Sequence, residues 1–464
     1  MQRSKGTWLR RAAILLPLLA TACASVPDLG PKPQPAAAGD YAASASLAPT
    51  SAAWPRDAWW GRYGDAQFNQ LIDEALASSP DLEAAAARFR TAQGFAQQAG
   101  AALLPTIDAF ATSEFRKSDG KDVASTGTAG ISLSFDLDLW GKNKAALAAA
   151  TSDAEAAGYE LAQAELFLTT GIAATYADLT QLYAQRDTLE SALAIRSDTL
   201  KLVTERVHLG LDTRAELKQA EGRVSEARAD LAATDEAIGL TRNALAALMG
   251  KGPDRGLAIR RPAIKGFAAQ DIPIDATIDL VGRRPDIAAA RATMEAAASR
   301  IKEARAAFYP NINISALVGL SAFGLGDVFS SSSSFGSVSP AVSLPLFRGG
   351  ALSGQYRGAR GRYDEAVALY NRQVITALRE TADAVTSRRA LDARLSESRS
   401  ALASLEEANS LARQRYESGL STYLDVLSAE EGVLDARLRV AELETRALVL
   451  DVALIRALGG GFAA

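Results

Sequence analysis

Two glycine-centred stretches, "RVHLGLDTRAE" (206–216) and "RYESGLSTYLD" (415–425), gather the side chains of this 464-residue chain that could do chemistry. Each places an acid, Glu216 or Asp425, in the first turn of the helix that follows, where a carboxylate meets the positive helix end. Such an acid either caps its helix or faces something cationic, and residue type alone leaves both roles open. Elsewhere reactive groups are sparse. His208, the one histidine, reads as a solvated residue near the turn, and Cys23, the one cysteine, excludes a disulfide within the chain. No nucleophile–base pair, metal-ligand cluster or phosphate-binding loop is spaced along the chain, so an enzyme, a metal centre or a cofactor finds no support. A formal charge of −4 makes no electrostatic case for nucleic acid.

The elements that position these turns are written twice. "SPDLEAAAARFRTAQGFAQQAGAALLPTIDAFA" (79–111) lies over "RPDIAAARATMEAAASRIKEARAAFYPNINISA" (284–316) without a gap, matching Pro80, Asp81, Pro105 and Ile107 to Pro285, Asp286, Pro310 and Ile312. Further on, "LDLWG" from Leu137 answers "LPLFR" from Leu344, and the two glycine stretches answer each other. Each copy reads as a helix opening at Pro-Asp, a strand, a polar loop, a second strand, a very long helix, a glycine turn and a last helix. The long helices are expected at roughly 142–208 and 352–417, and at about 1.5 Å per residue each reaches roughly 100 Å. In the last helices, Leu217, Val224, Leu231, Ile238 and Leu245 recur every seven residues, as do Val426, Val433, Val440, Ala447 and Leu454. A seven-residue seam implies left-handed coiled-coil packing in a rod or tube.

The strands alternate. In "ISLSFDLDLWGK" (131–142), Ile131, Leu133, Phe135, Leu137 and Leu139 are apolar, with Ser132, Ser134, Asp136 and Asp138 between them. Strands are expected at about 106–116, 128–140, 311–323 and 336–347, each long enough for a tilted membrane crossing. Trp140 and Phe347 fall at strand–helix junctions, where an interfacial aromatic belongs. Four strands cannot close a barrel, and lipid tolerates no open sheet edge, so a membrane role requires several chains. A small soluble sandwich is the plain alternative. The serines at 330–334 read as an extracellular loop.

At the N-terminus, Arg3, Lys5, Arg10 and Arg11 precede the short apolar "AAILLPLLA", the pattern of a signal peptide over 1–22. Cys23 closes it and resembles the lipidated cysteine of a bacterial lipobox, with Ala20 in place of the usual Leu. Simple cleavage leaving a free thiol is the alternative. Ala24 at the next position implies outer-membrane sorting by the same resemblance. Residues 23–58 are expected to form an extended, Pro- and Ala-rich tether.

From about Trp59 onward, "WWGRYGDAQFNQLIDEAL", "SPDL", "LDLWGK", "RRPDIAAA", "ARAAFYPNI" and "RYESGLSTYLDVLSAE" together resemble the TolC-like outer membrane factor family, in its OprM/NodT-type lipoprotein branch. The resemblance implies a mostly α fold with membrane β: an internally duplicated chain, 59–262 and 263–464, giving a coiled-coil periplasmic barrel and four strands to a shared trimeric 12-stranded barrel. It implies a homotrimer in outer-membrane lipid that extends into the periplasm, working with a periplasmic adaptor (membrane fusion protein) and an inner-membrane transporter of RND type. By position, Asp425 matches the acid whose three copies ring the constriction. Three carboxylates on one axis repel, raise each other's pKa and attract cations. Tyr416, beside Arg415, matches a network tyrosine, and Glu216 falls where a network acid occurs. Ser428 falls where some members have a second acid, implying a thinner ring. Ser421 stands where some members have a tying arginine, leaving Arg214 as the candidate substitute. Gly210 and Gly419 mark the tips expected to touch the adaptor.

The function these features imply is a passive outer-membrane exit duct opened at its periplasmic tips. A periplasmic coiled-coil adaptor or a structural lipoprotein is the alternative.

Overall fold

The computed structural model describes residues 25–47, 52–116, 124–264, 269–273, 276–323, 328 and 333–463. Cys23 and most of the 330–334 serine run lie outside them. The chain is mostly helical: α1 Ala66–Ser78, α2 Pro80–Ala101, α3 Lys142–His208, α4 Arg214–Leu248, α5 Ala276–Arg283, α6 Pro285–Ala306, α7 Ala351–Glu417 and α8 Tyr423–Ala457. The four strands are β1 Thr106–Arg116, β2 Ala124–Asp136, β3 Asn311–Phe323 and β4 Ser334–Ser343. The chain divides into two compact units.

One unit holds Ala87–Tyr159, Ala289–Arg372 and the segment 25–36. Its sheet is antiparallel in the order β1-β2-β3-β4, so β2 and β3, from different copies, are neighbours. Ile107 faces Leu133, Leu133 faces Ala316, and Ala316 faces Val338. This register gathers Ile107, Phe115, Ile131, Val318, Val338 and Val342 on one face, all exposed. The opposite face carries a polar ladder. Asn313 Nδ2 donates to Ser134 Oγ (3.1 Å), Ser315 Oγ donates to Asn313 Oδ1 (3.1 Å), and Asn311 Nδ2 donates to Asp136 Oδ2 (3.0 Å). Phe110, out of phase in sequence, stands opposite Gly130 on that wet face.

β2 and β4 both begin and end earlier than their alternation suggests, and each end has a local cause. Asp138 takes a positive φ of 45°, and its carboxylate accepts from Asn143 N (2.8 Å) and Lys144 N (2.9 Å), capping α3. Asp138 is therefore a buried cap, whereas Asp136 stays on the wet face. β4 stops two residues before Pro345, which has no N–H for a ladder. Trp140, between β2 and α3, donates from Nε1 to Pro310 O (2.7 Å) and stacks on Tyr309 at 4.9 Å. The segment 25–36 is extended but strapped along α7. Arg360 donates to the carbonyls of Gly30 and Pro31, Tyr363 OH to Pro33 O (3.2 Å), and Asn371 Oδ1 accepts from Ala36 N (2.9 Å).

The second unit holds Ala37–Ala86, Glu160–Ala288 and Gln373–Ala464. Its main core joins Tyr63, Phe68, Leu71, Ile72, Tyr176, Leu245, Met249 and Ile455. The stretch around "WWGRYGDAQF" earns its aromatics and acid here. Asp65 caps α1 through Gln67 N (2.9 Å) and also accepts from Tyr176 OH (2.7 Å) and Ala263 N (2.8 Å). Tyr63 OH donates to the fully buried Asp451 (2.7 Å). The heptad seam is packed as its period implies: Val224, Ile238 and Leu245 of α4, and Val426, Val433, Val440 and Leu454 of α8, are buried. Among the described residues, no helix is long and apolar enough to cross a membrane.

Candidate functional site

The turn after each long helix is built the same way in both copies. Gly210 and Gly419 take φ of 74° and 75°, the left-handed region where glycine has no Cβ penalty. Leu211 N then donates to Arg206 O (2.8 Å) and Leu420 N to Arg415 O (2.7 Å), closing the helix ends. Leu209, Leu211, Leu420 and Leu424 remain exposed around the two turns.

The next helices open on reciprocal caps. Thr213 N donates to Glu216 Oε2 (3.0 Å), and Thr422 N donates to Asp425 Oδ2 (2.9 Å), with each Thr hydroxyl on the same carboxylate. The Thr422 backbone N–H, its hydroxyl and the nearby Arg415 hold the exposed Asp425 carboxyl below its usual range. The Thr213 hydroxyl and backbone N–H groups do the same for Glu216. Both acids are charged caps within one chain. Ser428 is exposed one helical turn beyond Asp425, and Arg415 is exposed.

The acid that ties the two turns together is Asp212. Arg206 Nε donates to Asp212 Oδ2 at 2.9 Å, and Arg206 Nη1 donates to the carbonyl of Tyr416 at 3.1 Å. Tyr416 OH donates to the same Asp212 oxygen. The guanidinium lies 4.5 Å from the centre of the Tyr416 ring, a cation–π distance. The Arg206 and Asp212 side chains are only 12% and 11% exposed, so water screens this pair little. Burial first, then the bond to Asp212, raises the Tyr416 hydroxyl well above its ordinary value, keeping it a donor. Tyr416 joins Val203, Ala220, Tyr423, Val426 and Leu427 in a small apolar cluster beneath the turns.

One step deeper, Glu430 is buried and accepts from Thr199 Oγ1 (2.9 Å). Burial raises its carboxyl, opposed by Thr199, Arg413 and Arg196. Arg223 of α4 pairs with Glu431 of α8 at 2.6 Å.

Within one chain the Tyr416 hydroxyl meets Asp212 and not Glu216. Asp212 takes that place because it lies in the loop itself, while Glu216 is occupied by its own helix N-terminus. The arginine that reaches across the two turns within one chain is Arg206; Arg214 is exposed and enters none of these contacts, and the Ser421 hydroxyl is buried without a partner. Comparing the copies residue by residue exposes the signal. Asp212 answers Ser421, an acid against a neutral residue at one turn position, and Arg206 answers Arg415.

A duplicated chain with one alternating four-stranded sheet, two very long helices and a doubly turned tip defines a TolC-like channel subunit. The family model described as "Outer membrane efflux protein" matches residues 71–251 and again 279–460, one match per copy, and the chain belongs to that family. It is 35% identical over 378 residues to the fusaric acid resistance protein FusA of Burkholderia cepacia, covering 77% of this chain and 70% of that protein. It is 29% identical to the pyoverdine export outer membrane protein OpmQ of Pseudomonas aeruginosa, covering 87% of each. The solved outer membrane protein VceC of Vibrio cholerae matches with a TM-score of 0.84 and 44% identity, over 88% of this chain and 100% of that one. The chain is thus of the outer membrane efflux channel class that serves tripartite export systems, and trimeric TolC-like structures share its fold. The adaptor alternative has no place for the doubled match.

Proposed function

We propose that this chain is the outer-membrane exit duct of an RND-type tripartite exporter, anchored through a lipidated Cys23 and closed at its periplasmic turns by the Arg206–Asp212–Tyr416 contact. The carrying observation is that one carboxylate, Asp212, takes both a guanidinium and a phenol from across the two turns. A partly buried charge pair with a shared hydrogen bond has two discrete states, made and broken, as a gate requires. Asp425 and the exposed leucines of Leu209–Leu211 and Leu420–Leu424 are then the surface an adaptor meets, and three Asp425 carboxylates make the mouth cation-attracting. The duct performs no chemistry, and energy comes from the inner-membrane transporter. Cargo is set by that transporter; the relatives' names span fusaric acid resistance and pyoverdine export.

The test is native mass in detergent followed by planar-bilayer recording. A trimer that conducts in small steps supports the duct, and a monomer that never conducts overturns it. Radiolabelled palmitate incorporated by wild type and lost in Cys23→Ala supports the anchor; label persisting in the variant removes it.

A further inference from the structure

Where α3 and α6 meet the sheet, they enclose an open cleft lined by Trp140, Lys144, Ala145, Lys302, Arg305 and Tyr309. These helices adjoin β2 and β3, the two central strands, so the cleft lies away from the open edges β1 and β4. The stacked rings of Trp140 and Tyr309 stand at its sheet end, where an interfacial aromatic pair meets lipid headgroups. Lys144 follows Trp140 by four residues, and Arg305 and Lys302 precede Tyr309 by four and seven. Three exposed cations therefore share one opening.

A fourth cation arrives on the N-terminal strap. Residues 36, 33 and 30 meet Asn371, Tyr363 and Arg360 in turn, so the strap climbs α7 toward its start at Ala351, beside the sheet. On the way Lys32 lies 5.7 Å from the centre of the Tyr363 ring. Burial, then the charges of Lys302, Arg360 and Arg305, lower the Lys32 ammonium from its ordinary value. Arg360 is balanced by Asp364 at 2.7 Å, whereas among the described residues Lys32, Lys144, Lys302 and Arg305 make no ion pair. Like charges crowded without a counterion repel, and an anion between them relieves the repulsion. The repeat supplies a comparison: Lys302, Arg305 and Tyr309 answer Gln97, Gly100 and Leu104 in the first copy, so the element folds without these cations.

We propose that this cleft binds the phosphate of an anionic phospholipid from the periplasmic leaflet, a reading that rests on the duct above. Lys144, Lys302 and Arg305 take the phosphate, with Lys32 beside them, and the Trp140–Tyr309 pair covers the glycerol. Leu137 and Leu139 stay exposed between β2 and the cleft, which gives the acyl chains an apolar path beside the sheet. A free phosphate would satisfy the cations but leave those leucines and rings uncovered, so the lipid is the occupant that uses the whole surface. Basic pockets at the membrane boundary hold anionic headgroups by the same combination of charge and depth.

The test titrates the purified full-length protein in detergent with phosphatidylglycerol, phosphatidylcholine or inorganic phosphate and reads the bound adducts by native mass. Wild type should retain phosphatidylglycerol, one per subunit, in preference to phosphatidylcholine, and should retain no inorganic phosphate. A Lys or Arg at the membrane surface contributes about fivefold in affinity, so Lys302→Gln/Arg305→Gln should weaken phosphatidylglycerol binding about 25-fold. Arg88→Gln/Arg90→Gln, which removes two exposed cations from α2, should leave binding unchanged. Should the cleft double variant not assemble, Lys144→Gln is read in its place, with a loss of about fivefold. A trimeric wild type with no preference for phosphatidylglycerol, equal losses in the cleft and α2 variants, or inorganic phosphate retained in place of lipid overturns the site. A wild-type chain of monomeric native mass overturns the duct reading instead.

Discussion

The guanidinium of Arg206 lies 4.5 Å from the ring centre of Tyr416, although the two residues belong to different copies of the repeat. Both reach Asp212, so a single carboxylate holds the first turn to the second. A hydrogen bond to a charged group contributes about 1.5–3 kcal/mol. A double-mutant cycle of Arg206→Ala and Asp212→Ala on thermal unfolding of the trimer should give a coupling of about 1–3 kcal/mol; additive effects would show the pair to be decorative. Tyr416→Phe should cost less than Asp212→Ala, because it leaves the Arg206 charge paired.

Glu430 makes a prediction about pH. Burial raises its carboxyl, so the folded tip binds that proton more tightly than the unfolded chain does. The stability it contributes is complete below the ordinary glutamate pKa of about 4.3 and is lost as pH rises through the raised value. Asp425 and Glu216 act in the opposite sense, because their lowered carboxyls add stability that disappears on acidification. Glu430→Gln keeps an oxygen for Thr199 and buries no charge. Its Tm in detergent should equal or exceed wild type at pH 8 and gain less than wild type does on moving to pH 5.5. A parallel pH profile in the two proteins would count against the buried charge.

Much of the architecture was legible because the chain repeats itself: Pro80-Asp81 and Pro285-Asp286, the two glycine turns, and a seam every seven residues each state the same element twice. The tip contact was not, for a physical reason. Arg206 and Asp212 flank one turn, but Tyr416 reaches them by tertiary packing from the other copy, and Asp212 is a position where the copies differ. Glu216 is the acid to which the resemblance points, whereas the general preference for acids at helix starts ties it to its own helix. Asp138 continues the alternation in sequence, but its left-handed backbone breaks it.

In the sheet, Gly130 of β2 stands opposite Gly319 of β3, and neither has room for a side chain. A Cβ on Gly130 would lie 2.7 Å from Val318 O, and one on Gly319 would lie 2.4 Å from Ala129 O. Overpacking of this kind costs about 1–3 kcal/mol, so Gly319→Ala should lower the temperature at which the trimer dissociates on SDS gels. Gly336→Ala, whose Cβ would stand 3.7 Å from its nearest atom, should leave it unchanged. Equal shifts in both variants would contradict the close approach.

Arg284 is 5% exposed and pairs with Asp286 (2.6 Å) and Glu380 (2.9 Å) while donating to Ala457 O (3.0 Å). Removing one partner from a buried pair costs about 3–5 kcal/mol. Arg284→Ala should therefore reduce the yield of assembled trimer in membranes far more than Arg214→Ala, at an exposed position. Similar yields would show that the cluster does not secure the fold.

The central claim is that the two turns, tied through Asp212, hold a conducting trimer nearly shut, and unitary current through purified protein in planar bilayers measures that directly. The account predicts small steps for wild type and a several-fold rise in Asp212→Asn, with native mass unchanged. Equal currents from the two trimers would contradict it.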